Sequence, residues 1–139
     1  MSTPITNLIP HRPPMQWIDE LIEYTDTTAS AMACFGPGHF ALYENSVSET
    51  ALVECVAQTV AAALGARAQG KVTEGPKSEA GGGMLAAVSN FQMNANPMVG
   101  KQLRIDVREL KRLGPMLLVS GVVTCDGEII ASGELSLYA

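Results

Sequence analysis

From residue 84 onward apolar and polar positions alternate. Met84 to Met93, Leu103 to Leu113, Met116 to Cys125 and Ile129 to Tyr138 each keep a period of two, the spacing of a strand that buries one face. Asp126-Gly127 lies between the last two. That dipeptide suits the positive φ angles of a two-residue turn, so these strands are predicted to form a hairpin. Earlier in the chain, Trp17 to Tyr24 and Thr27 to Phe35 read as two more strands, turning at Asp26-Thr27. Residues 1 to 16 carry Pro4, Pro10, Pro13 and Pro14, too many for a helix or a central strand to continue. An irregular lead-in is expected there, with room for one helical turn before Pro10.

The middle of the chain has a different pattern. Gly36-Pro37-Gly38 breaks the second strand, and Ser46-Val47-Ser48-Glu49 fits a capping box, which predicts a helix over roughly 47 to 69 with a loop before it. From Ala51 to Ala66 the only ionisable side chain is Glu54, so almost no polar face remains and the helix is expected to be enclosed on most sides. Gly65 or Gly70 is expected to end it. Gly70 to Gly83, with Gly75-Pro76 and three consecutive glycines, reads as a connection. Two early strands, one apolar helix and four late strands predict an α+β fold: a single antiparallel sheet burying its apolar face against the helix. At 139 residues the chain is expected to be one domain, 1–139, burying roughly two thirds of its unfolded surface.

Composition narrows the function. Hydrophobic residues make up 47% and charged residues 17%, with a mean hydropathy of +0.16, a thin polar coat of the kind that often covers an oligomer. Fourteen acids against nine bases give a net charge of −5, which argues against nucleic acid as a partner. The bases are uneven, however: Lys101, Arg104, Arg108, Lys111 and Arg112 fall within twelve residues and make one basic edge. Cys34, Cys55 and Cys125 are odd in number and lack metal-ligand spacing, so buried reduced thiols and no metal site are expected. No basic segment followed by an apolar one opens the chain, and Glu54 interrupts the most apolar stretch. Neither export nor a membrane span is indicated, and the cytoplasm is the expected compartment.

Glu54 is the strongest chemical signal. An ionised carboxylate on an apolar helix costs several kcal/mol unless it is paired or stays protonated, and a protonated acid can serve as a general acid. The alternative is a carboxylate at a solvent-facing crack or a dimer seam that keeps the helix soluble. Gln58, at i+4, shares its face and either orients Glu54 or fills a polar pocket. Histidine chemistry is limited to His11, in Pro10-His11-Arg12-Pro13-Pro14, and His39, after the glycines that allow a ligand to approach the backbone. There is no G-x-S-x-G, and Gly81 to Gly83 lacks the lysine of a phosphate cradle.

Pro10-His11-Arg12-Pro13-Pro14-Met15 with Asp19, Gly38-His39-Phe40 and Leu52-Val53-Glu54-Cys55-Val56-Ala57-Gln58 resemble, in that order, the hot-dog 3-hydroxyacyl-acyl-carrier-protein dehydratases of fatty-acid and polyketide synthesis. Leu85 to Phe91, Pro97 to Lys101 and Asp126 to Ala131 are similar to their tunnel strand, the turn after it and their last hairpin. Phe40 to Ser48 lacks the proline and glycine usual in that family's loop, and the spacing from His39 to Glu54 is one residue longer. In this the chain resembles a divergent branch associated with aryl-polyene pathways, in which His11 becomes the alternative base.

The resemblance implies a sheet wrapped about the helix, pairing with a second hot-dog protomer as homodimer or heterodimer, and no cofactor. It also implies dehydration of a 3-hydroxyacyl thioester carried on acyl carrier protein, giving the trans-2-enoyl thioester. His39, or alternatively His11, would act as base and Glu54 as acid. Gln58, Phe40 and Gly38 would contact substrate. The acidic carrier would dock on the edge holding Arg104, Arg108, Lys111 and Arg112, with Arg12 beside it. Two other readings stay open: hydrolysis of an acyl thioester, and a catalytically reduced subunit that supports an active partner.

Overall fold

The computed structural model describes residues 5–10, 12–13, 15–39, 41–70 and 84–138. Six strands form one antiparallel sheet: β1 (Glu20–Tyr24), β2 (Thr28–Cys34), β5 (Met84–Met93), β6 (Gln102–Leu113), β7 (Met116–Cys125) and β8 (Glu128–Tyr138). Their order across the sheet is β1-β2-β6-β7-β8-β5. The helix α1 (Glu49–Gly70) leaves the chain after β2 at one side of the sheet, and β5 re-enters at the opposite edge. The connection must therefore cross the whole sheet, and α1 touches all six strands. This is the hot-dog arrangement.

Alternation decides which face the helix covers. Ala29, Ala31 and Ala33 of β2, Leu103, Ile105 and Val107 of β6, and Leu117, Val119 and Val123 of β7 are buried, while most of their neighbours in sequence are more exposed. Small residues set how close the helix comes. Gly121 is such a place, because a Cβ there would lie 2.6 Å from Val56 Cγ1 on α1. The buried apolar side chains of the described residues form one cluster.

The far side of α1 is covered by the chain's own lead-in. Ile5, Leu8, Ile9 and Ile18 are buried, and the Leu8 carbonyl lies where a side chain at Gly65 would go. The expected turn of helix before Pro10 is present as a 3₁₀ turn, Ile5–Asn7. Gly65 thus does not end α1, which runs on to Gly70; it is glycine because the lead-in crosses directly over it. Glu49–Ala68 is long and apolar enough to cross a bilayer, yet 67% of its apolar window lies inside the fold, as in a core helix.

Where a loop is expected ahead of α1, there is a hairpin, β3 (Leu42–Tyr43) with β4 (Ser46–Val47). Glu44 and Asn45 both take positive φ, 51° and 64°, a two-residue turn made without glycine and so without its usual sequence signal. Ser46 bridges Met98 and Val47 N donates to Pro97 O (2.8 Å), which commits both residues to strand pairing. The capping box at Ser46 therefore does not form. Ser48 is the cap, its Oγ accepting from Ala51 N at 3.2 Å, and the helix starts at Glu49.

Candidate active site

Gln58 organises the polar part of the core. Only 1% of it is exposed, and its amide makes four hydrogen bonds. Oε1 accepts from Trp17 N (2.8 Å) and Ile18 N (3.3 Å), while Nε2 donates to Met15 O (2.8 Å) and Glu54 Oε1 (3.2 Å). The network assigns the amide orientation, since the reverse would set like groups against each other. The i, i+4 spacing thus works as expected, with Gln58 holding the Glu54 carboxyl. All four hydrogen-bonding positions of Gln58 are thus used inside the fold. Glu54 is half-buried, in the second turn of α1.

His39 follows a turn in which Gly38 takes φ +81°, a left-handed conformation open to glycine at no steric cost. Its backbone N donates to Gly36 O at 3.2 Å. The imidazole meets Phe35 edge to face, ring centroids 4.9 Å apart, and Trp17 at 6.0 Å. Its Nδ1 accepts from Ala41 N at 3.0 Å. Trp17 therefore links the two candidate groups: its backbone N rests on Gln58, which holds Glu54, and its ring packs on His39.

Asp19 completes the neighbourhood. Its Oδ2 accepts from Cys34 N at 2.8 Å. Although the residue is largely exposed, desolvation of its carboxyl pushes its pKa above the ordinary value, against the opposing pull of the Cys34 amide and of His39. Burial, with Glu54 and Asp19 nearby, drives the Cys55 thiol far upward and keeps it protonated. Trp17 was not among the candidate site residues, and Asp19 entered only as part of the motif that begins at Pro10. The available signal was their place in the segment that follows Pro10-His11-Arg12. Gln16 Oε1, in the same segment, is buried with no hydrogen-bond partner among the described residues. His11 and Phe40 lie outside the described residues.

Comparison with known proteins decides what this arrangement belongs to. The ApeP-like family, described as ApeP dehydratase, matches residues 3–139. This chain belongs to the ApeP-like dehydratase family. It is also similar to the 3-hydroxyacyl-[acyl-carrier-protein] dehydratase FabZ of Geobacillus sp. (strain WCH70), 29% identical, with 94% of this chain and 89% of that protein covered. FabZ of Lactococcus lactis subsp. cremoris (strain SK11) is 28% identical, covering 96% and 91%. Among solved structures, the dehydratase heterocomplex ApeI:P from Xenorhabdus doucetiae superposes with a TM-score of 0.86 at 18% identity, over 98% of this chain and 90% of that one. Zebrafish thioesterase superfamily member 2 superposes with a TM-score of 0.63 at 15% identity, over 86% and 79%, so the fold is shared with thioesterases.

In this ApeP-like dehydratase the three thiols are free, but only Cys55 is buried; Cys34 is exposed and Cys125 half-exposed, which corrects the expectation of three buried thiols. Cys34 lies on the outer, less buried face of β2, and period-two alternation puts it there. Among the described residues no group of three or more histidine, cysteine or carboxylate side chains is placed to hold a metal. The basic edge is divided. Arg104 pairs with Asp106 (3.2 Å) and Glu23 (3.6 Å), Arg112 with Glu109 (3.3 Å) and Lys101 with Asp126 (3.3 Å). A bulge between Glu109 and Lys111 breaks the alternation along β6 that a single stripe would need.

Proposed function

We propose that residues 1–139 act as a single hot-dog domain that removes water from a 3-hydroxyacyl thioester on acyl carrier protein, leaving the trans-2-enoyl thioester. The observation that carries this is a carboxyl on the core helix, Glu54, held in place by a fully bonded Gln58, in a chain of a dehydratase family. Loss of a C2 proton and a C3 hydroxyl needs a proton-transferring group fixed beside both carbons, and Glu54 fills that role. His39 and His11 are the histidines available to work with it. Gly38 and Phe40 would lie against substrate. The FabZ relatives, similar over nearly the whole chain, are named for the same reaction on a carrier-bound substrate.

The domain works paired with a second hot-dog protomer. β5 is an edge strand, and Leu85 to Asn90 are all exposed, including Leu85 and Val88. An apolar edge with open backbone groups is a place for strand addition. Similarity to a chain of the dehydratase heterocomplex ApeI:P favours a heterologous partner. The carrier docks at Arg108 and Lys111, the two cations of the basic edge with no ion pair among the described residues. Three free thiols suit a reducing compartment, the cytoplasm.

The test is product analysis on a 3-hydroxyacyl thioester, with the protein alone and with a second hot-dog protomer added. A new 2,3 double bond with the thioester intact is expected, together with loss of turnover in Glu54→Gln at an unchanged melting temperature. Free thiol would instead mean hydrolysis. Glu54→Gln turnover within about tenfold of wild type, roughly 1.4 kcal/mol of barrier, would remove Glu54 from the chemistry.

A further inference from the structure

We propose that Asp19 is a positioning residue for the reaction: by holding the end of β2 it fixes the turn that carries His39 against the segment seated on Gln58. This rests on the dehydratase reading above and adds to it a side chain that acts through its neighbours. The reason lies in the course of the chain. Trp17 N and Ile18 N are turned to Gln58 Oε1, at 2.8 and 3.3 Å, and β1 starts only at Glu20. The β1–β2 ladder ends at the pair Glu20 and Met32, two residues short of Cys34, the last residue of β2. Asp19 covers that gap. Its backbone N donates to Met32 O (2.8 Å) and its Oδ2 accepts from Cys34 N (2.8 Å), so a side chain carries the pairing on to the end of the strand.

The turn with His39 follows directly. Phe35 is 1% exposed, its O accepts from Gly100 N at 2.9 Å, and its ring meets Trp17 edge to face with centroids 6.1 Å apart. His39 packs on both rings, 4.9 Å from Phe35 and 6.0 Å from Trp17, which closes a triangle of three edge-to-face contacts. The triangle joins two stretches of chain. Trp17 belongs to the one that Gln58 holds, and the same Gln58 donates to Glu54 at 3.2 Å. Phe35 and His39 belong to the other, which leaves β2 at Cys34. Asp19 ties the two together, being two residues from Trp17 and bonded to the residue before Phe35. Without that bond Cys34 N turns to water and the end of β2 frays, so the imidazole loses one of its anchors. A misplacement of about 1 Å at a reacting group costs up to about 10²-fold in rate.

This role asks for an acceptor at position 19 and not for a charge. Asp19→Asn still presents Oδ1 to Cys34 N, whereas Asp19→Leu keeps a similar volume and removes the acceptor. With a pantetheine-bound 3-hydroxyacyl thioester, Asp19→Asn is expected to keep kcat within about threefold of wild type. Asp19→Leu is expected to lose about 10- to 10²-fold in kcat with KM within about threefold. Nuclear Overhauser contacts of the His39 ring with the Phe35 and Trp17 rings should persist in Asp19→Asn and weaken in Asp19→Leu. Ring contacts of full strength in Asp19→Leu, or its kcat within about threefold of wild type, overturn the positioning role. Asp19→Asn as slow as Asp19→Leu with its ring contacts intact overturns it too, because the carboxyl then acts through its charge or its proton. If Asp19→Leu does not fold, Asp19→Ala replaces it in both measurements. If wild type makes no enoyl thioester, the dehydratase reading fails instead, and the ring contacts still decide whether Asp19 holds the turn.

Discussion

Replacing Gln58 by leucine keeps the volume of a side chain that is 1% exposed and removes all four of its hydrogen bonds. Trp17 N, Ile18 N and Met15 O then lose their partner inside the fold. A buried polar group left in that state costs about 1–3 kcal/mol. Met15 is 46% exposed and its carbonyl can turn to water, so the buried Ile18 N and the partly buried Trp17 N dominate and the loss should be roughly 2–5 kcal/mol. That is a large part of the 5–15 kcal/mol that typically stabilises a domain, and corresponds to a melting temperature lower by roughly 8–20 °C. Calorimetry checks the stability, and turnover measured well below the new midpoint checks the site. Turnover should also fall, because Glu54 loses the donor that orients it. A drop of less than about 3 °C, or a fall in stability with normal turnover, would refute the clamp.

Gly65→Ala should destabilise as strongly as a core cavity, because the added methyl meets the Leu8 backbone, which cannot rotate away; denaturant unfolding would show it, and a neutral effect would mean that the lead-in is not seated on α1. Arg108→Glu should raise KM for carrier-bound substrate, leave the pantetheine-bound one unchanged, and lose its effect at high salt; equal shifts for both substrates would place the carrier elsewhere. The raised Asp19 pKa means that the folded chain holds the proton more tightly than the unfolded one. Stability contributed at this site is therefore present below the ordinary aspartate value of 3.8 and falls as pH rises toward the raised value, and Asp19→Asn should abolish that slope. A wild-type slope retained in the variant would assign it to another group.

The elements were legible because their signals are local. Period two marks the four late strands, Asp126-Gly127 the hairpin, and the lone carboxylate on an apolar run both the core helix and its candidate acid. The i, i+4 spacing also determined that Glu54 and Gln58 would meet. Their further partners were not legible. Gln58 binds Trp17, Ile18 and Met15, 40 to 43 positions away, and nothing in either stretch announces the other. The β3–β4 hairpin turns on two positive φ angles without a glycine, so no residue type marks it. The helix was expected to be enclosed on most sides, and it is the lead-in that supplies cover on the side away from the sheet, so the case for pairing rests on the open β5 edge. Periodicity along a chain says which face each element buries. Only the closed fold says what that face meets, because the crossing of α1 from one edge of the sheet to the other brings together groups whose hydrogen-bond partners and close contacts depend on distances in space and not on spacing in sequence.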